Sequence, residues 1–64
     1  MEQTNIVRQL RKERGWTQAE LAKRSGLCIP VICKMERNAQ DISLASMRKV
    51  ADALEEPLRV VFML

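Results

Sequence analysis

The tetrad Thr17-Gln18-Ala19-Glu20, with Trp16 before it, Leu21 after it and Gly26 five residues beyond, constrains this chain more than any other feature. Thr followed three residues later by Glu is a capping box. The hydroxyl accepts from the Glu20 amide, and the Glu20 carboxylate reaches back to the cap. Trp16 and Leu21 stand where a hydrophobic staple fixes the angle of entry. Gly26 takes the left-handed conformation that ends a helix without penalty. The spacing therefore predicts a helix over Gln18 to Ser25, barely two turns long. The only glycines are Gly15 and Gly26, and the only prolines Pro30 and Pro57. So few breakers leave little room for the turns of an all-β fold.

The other elements follow from the same signals. A first helix runs from Thr4 or Asn5, either of which can cap it, to Arg14. Ile6, Val7 and Leu10 form its apolar stripe, and Gly15 stops it. A third begins at Cys28, with Pro30 in a first turn where a missing N–H loses nothing. Ile32 and Met35 face the core; Pro30, Val31, Lys34 and Arg37 face outward, and Cys33 is unassigned. Asn38 suits a left-handed stop. Ser43 caps a fourth helix with Leu44, Met47, Val50, Ala51 and Leu54 inward. Ile42 and Met47 form a second staple, and Glu55-Glu56-Pro57 ends the helix. The tail, Leu58 to Leu64, alternates Leu58, Val60, Phe62 and Leu64 on one side and carries two adjacent valines, which favours a β-strand. Pro57 favours a short fifth helix instead. The fold class is all-α: four to five short helices in one domain, residues 1–64, with a short C-terminal β-strand as the expected last element.

Charge placement narrows the partners. Residues 8–37 hold eight basic and three acidic side chains, a net of +5, out of +3 for the whole chain. A basic first half on a near-neutral second half suits a polyanion-binding face backed by a structural platform. With no histidine and no triad-like or metal-ligand spacing, the sequence offers no enzyme, no metal site and no cofactor. Cys28 and Cys33 are too few and too close for a disulfide framework, and reduced thiols in the cytoplasm are expected. The N-terminus lacks the regions of a signal peptide, and no apolar run approaches a membrane span.

Two short helices joined at Gly26, the second one basic, make the helix-turn-helix layout. The run RKERGWTQAELAKRSG, followed by Ile32-Cys33-Lys34-Met35-Glu36-Arg37-Asn38, resembles the lambda-repressor-like family of DNA-binding domains, also called the XRE family. The likeness covers roughly Val7 to Leu58. It implies a transcriptional regulator, most simply a repressor, that binds double-stranded DNA with helix 28–37 in the major groove. It implies backbone contacts at Thr17 and Gln18, with Gln18 bracing the first residues of the recognition helix. Base contacts fall at Ile29, Pro30 and Lys34, phosphate contacts near Arg37 and Asn38, with Lys34 fitting either role, and Cys28 and Val31 belong to the same DNA-binding stretch. Arg11 and Glu36 match a partly buried salt bridge behind the recognition helix, a supporting role. Arg48 and Lys49 are further candidates for phosphate. Two departures stand out. Ile29-Pro30-Val31 replaces the family's usual polar readers, and Cys28 replaces its usual Ser or Thr cap.

The same residues admit two other functions. One is the DNA-binding antitoxin of a toxin–antitoxin operon, with a toxin protein as partner. The other is a protein-interaction module that keeps the fold and uses the apolar Ile29-Pro30-Val31 face. A small domain reads few base pairs, so a homodimer on a palindromic operator is expected, paired through residues 58–64.

Overall fold

Three of the described helices end on the same backbone device. A computed structural model of the chain describes residues 6–37 and 42–62. The helices are α1 (Val7–Glu13), α2 (Gln18–Ser25), α3 (Ile29–Glu36), α4 (Leu44–Leu54) and α5 (Leu58–Phe62). After α1, Gly15 at φ 73° sends its amide to Lys12 O, and Trp16 N–H reaches Arg11 O at 3.1 Å. After α2, Gly26 at φ 75° and Leu27 repeat the pair on Lys23 O and Ala22 O. After α4 the left-handed residue is Glu55, at φ 59°. Its amide donates to Asp52 O and that of Glu56 to Ala51 O. These paired bonds satisfy carbonyls that a helix end would otherwise leave open.

The starts are equally specific. Thr17 Oγ1 accepts from Glu20 N–H at 3.1 Å, and Ser43 Oγ from Ser46 N–H at 3.2 Å. The Glu20 carboxylate does not complete the capping box; it accepts from Arg24 Nε at 2.6 Å. A cation four residues on competes better for a carboxylate than a neutral amide does. Ile6 occupies the cap position of α1; Thr4 and Asn5 lie outside the described residues. Ile6 N–H donates to Val61 O at 2.9 Å, tying the start of α1 to α5.

One core joins all five helices: Val7 and Leu10, Leu21 and Ala22, Ile32 and Met35, Val50, Ala51 and Leu54, and Val61 and Phe62. Both staples close on it, since Trp16, Ile42 and Met47 pack against these buried residues; Leu44, expected inward, stands instead 54% exposed at the first turn of α4. Arg14 adds a polar clamp between α1 and α4, donating to Leu54 O at 2.6 Å, with Glu56 3.6 Å away. A cation at the carbonyl end of α4 also meets the negative end of its dipole.

The tail corrects the expected strand. Residues 58–62 are helical, started by Val60 and Val61 amides on the Pro57 carbonyl. Leu58, Val61 and Phe62 satisfy helical spacing as well as Leu58, Val60 and Phe62 satisfy strand spacing. The helix wins because it buries adjacent residues, Val61 and Phe62, against the core together, whereas a strand would turn them to opposite sides. Leu64 lies outside the described residues. Among the described residues, no helix is long and apolar enough to cross a membrane.

Candidate nucleic-acid interface

α3 has two unlike faces. Its inner face buries Ile32, Met35 and Glu36; its outer face exposes Ile29, Pro30 and Lys34. Cys33 is half-buried, and Val31, expected on the outer face, is half-buried too and packs against the core, where an apolar side chain gains more than in water. Arg37, at the helix end, is exposed. Cys28 sits at the cap position in extended conformation and is exposed, but supplies no side-chain cap. That weak start follows from a thiol standing where a hydroxyl or carboxylate would accept an amide hydrogen. Asn38 lies outside the described residues.

Behind α3 is a buried ionic cluster that joins three helices. Arg11 Nε donates to Glu36 Oε2 at 2.6 Å, and Arg11 NH2 to Glu36 Oε1 at 3.2 Å. Gln18 Nε2 donates to the same Oε1 at 3.1 Å. The remaining arm, Arg11 NH1, donates to Trp16 O at 2.8 Å. Arg11 and Glu36 are each only 9% exposed. A two-bonded guanidinium–carboxylate pair is planar, so it fixes direction as well as distance. Here it sets the angle of α3 against α1, while Gln18 links the start of α2 to the end of α3. The resemblance gave Gln18 a bracing role toward the first residues of α3; its bond runs to the last helical residue.

On the solvent side of this cluster, Arg8, Arg11, Gln18, Cys33, Glu36 and Arg37 line a cleft of about 220 Å³. Glu36 neutralises Arg11 there; Arg8 and Arg37 are exposed. The structure thus gathers Gln18, Arg37 and the supporting pair around one cleft, with Thr17 exposed beside it in sequence. Ile29 and Pro30 occupy the opposite end of α3, while Lys34 lies one turn beyond Pro30. The sequence marks Arg8 only by its place on a helical face with Arg11 at i, i+3. Arg48 and Lys49 lie exposed on α4 and do not line the cleft.

Trp16 carries a second basic group. The Arg24 guanidinium lies 4.3 Å from its ring centroid and Arg14 5.9 Å. Arg24 also pairs with Glu20. These contacts hold the Trp16 ring over the start of α2, next to the carbonyl that Arg11 uses.

Known proteins share this family and fold. The family described as Helix-turn-helix matches residues 7–61. The restriction-modification controller protein C.AhdI from Aeromonas hydrophila is 36% identical, with a TM-score of 0.80; the match covers 88% of this chain and 85% of that one. The N-terminal DNA-binding domain of SinR from Bacillus subtilis is 31% identical, with a TM-score of 0.74, over 83% of this chain and 78% of that one. Antitoxin HipB from Escherichia coli O6:H1 is 37% identical over 51 residues, which is 80% of this chain and 54% of HipB. The chain thus spans just over half the length of that relative.

Proposed function

The chain belongs to the helix-turn-helix family, in its lambda-repressor-like branch, and from that premise we propose that it is a sequence-specific, double-stranded DNA-binding regulator of transcription, acting as a repressor. It works as one DNA-binding domain in the cytoplasm and is a binding protein, not an enzyme. The observation that carries this reading is the buried Arg11–Glu36–Gln18 cluster. It sets α3 rigidly against α1 and α2 while the outer side of α3 stays open, within a segment of net charge +5. α3 enters the major groove. Gln18, at the first helical position of α2, presents backbone amides and the positive dipole end to a phosphate. Thr17, Arg8 and Arg37 flank the same strand, and Arg48 and Lys49 extend the contact. Lys34 reaches guanine O6/N7 or the adjacent phosphate.

Salt titration of binding to a duplex tests this reading. Each phosphate contact contributes about −0.9 to the slope of log affinity against log salt. Affinity that does not change between low and moderate salt would defeat it.

The operator is a palindrome read by a homodimer, with half-sites about 34 Å apart or a multiple of it. Of the proposed dimer segment, Val60 is 44% exposed and Leu58 half-buried, whereas Val61 and Phe62 belong to the protomer's own core. The pairing surface is therefore the outer side of α5 and not a shared strand. A second reading, an antitoxin that also binds a toxin protein, is favoured by the likeness to HipB. Co-purification with the product of an adjacent gene would separate the two.

A further inference from the structure

Resting on the DNA-binding reading above, we propose that the first turn of α3 reads the 5-methyl group of pyrimidines, so that thymine and 5-methylcytosine are equivalent to this protein at that position. Ile29 is 46% exposed and Pro30 is exposed beside it. Both stand in the first turn of the helix that meets base edges, and N-terminal residues of a recognition helix make such contacts. Neither side chain can donate or accept a hydrogen bond, and the Cys28 thiol next to them does so only weakly. Any base edge beneath this turn presents its polar groups to hydrocarbon. Guanine, adenine and unmodified cytosine offer nothing in return. The one major-groove feature that complements an apolar side chain is the methyl on C5.

The occupant is a nucleic acid and not an apolar protein surface, because the charge around the turn says so. Lys34 lies one turn on, and Arg37 and Arg8 flank the cleft at the other end of α3. The whole segment carries net +5. An apolar protein face pressed there would leave those cations against hydrocarbon. In the groove, the methyl meets Ile29 and Pro30 while phosphates meet the cations.

The consequence is a ranking that base identity does not predict. At the pair under Ile29 and Pro30, thymine and 5-methylcytosine bind alike, and both bind better than uracil or cytosine. Each methyl is worth about fourfold in affinity, the value of one buried methylene-sized group. Cytosine methylation at that position would therefore tighten binding.

The test starts from a duplex enriched on the full-length protein from a random pool. Its thymines are replaced singly by deoxyuridine, and each sensitive one then by cytosine or 5-methylcytosine paired with guanine. Affinity is read by fluorescence anisotropy. The expected result is a loss of about fourfold with uracil, persistence of that loss with cytosine, and recovery with 5-methylcytosine. Ile29→Ala, at a position 46% exposed, should leave the thermal melt unchanged and shrink the thymine–uracil difference. Enrichment of a duplex indifferent to every uracil overturns this inference and leaves DNA binding standing. So does a uracil-sensitive position that 5-methylcytosine does not rescue, since a polar group of the pair is then read as well as the methyl. No enrichment at all overturns both.

Discussion

Replacing Glu36 with Ala should be among the most damaging single changes in this domain, although the residue lies at a helix end. Glu36 accepts three hydrogen bonds, two from Arg11 and one from Gln18, and is 9% exposed. Its loss leaves a guanidinium in a site where only 11% of that side chain meets solvent. Stranding one member of a buried ion pair costs about 3–5 kcal/mol. A domain of 64 residues has roughly 3–10 kcal/mol in total, so the variant should be mostly unfolded or close to it. Urea unfolding followed by far-UV circular dichroism and Trp16 fluorescence measures this. A paired replacement, Arg11→Met with Glu36→Leu, removes both charges and should recover most of the loss, because apolar substitutes for a buried pair are often neutral or better. A Glu36→Ala protein within about 1 kcal/mol of the parent, the ordinary effect of an arbitrary substitution, would refute the reasoning. A double variant as unstable as the single one would refute it too.

Other substitutions probe separate links. Glu55→Gly relieves a left-handed non-glycine residue and should add about 0.5–1 kcal/mol, seen as a melting temperature raised by roughly 3–6 °C; a lower melting point means the Glu55 side chain has a stabilising role. Lys34→Ala should weaken duplex binding, by about 1–3 kcal/mol at one base pair if Lys34 reads guanine, and Gln18→Ala, which breaks the side-chain bond to Glu36 that links the start of α2 to α3, should weaken all sequences alike. If both keep parental affinity, α3 is not the reading helix. Val60→Glu should leave the melt of the monomer intact and abolish dimers in sedimentation. An unchanged mass, or a parent that is monomeric at high concentration, would remove α5 as the interface.

What could be read in advance depended on whether a signal was local. The bounds of α2 follow from Thr17, the Trp16–Leu21 staple and Gly26, all within eleven residues, and the structure places the helix at Gln18–Ser25. Ser43 likewise marks the start of α4. The left-handed Glu55 carried no such mark, because glutamate has no preference for that conformation. α5 is open to either reading because five to seven apolar residues fit both periods; it packs on neighbouring α4, and its hydrogen bond from Ile6 comes from some fifty residues away in sequence. The Arg11–Glu36 pair came from the family resemblance. Gln18 closing onto Glu36, and Arg14 capping α4, are long-range contacts with no signature in composition or spacing.

Premethylation interference on the enriched duplex would show which groove α3 occupies. Dimethyl sulfate marks guanine N7 in the major groove and adenine N3 in the minor groove. With α3 in the major groove, methylated guanine N7 should block binding in two clusters about one helical turn, ~34 Å, apart or a multiple of it. Lys34→Ala should weaken the block at the guanine it contacts. Interference confined to adenine N3, or none at either base, would contradict the placement of α3 in the major groove.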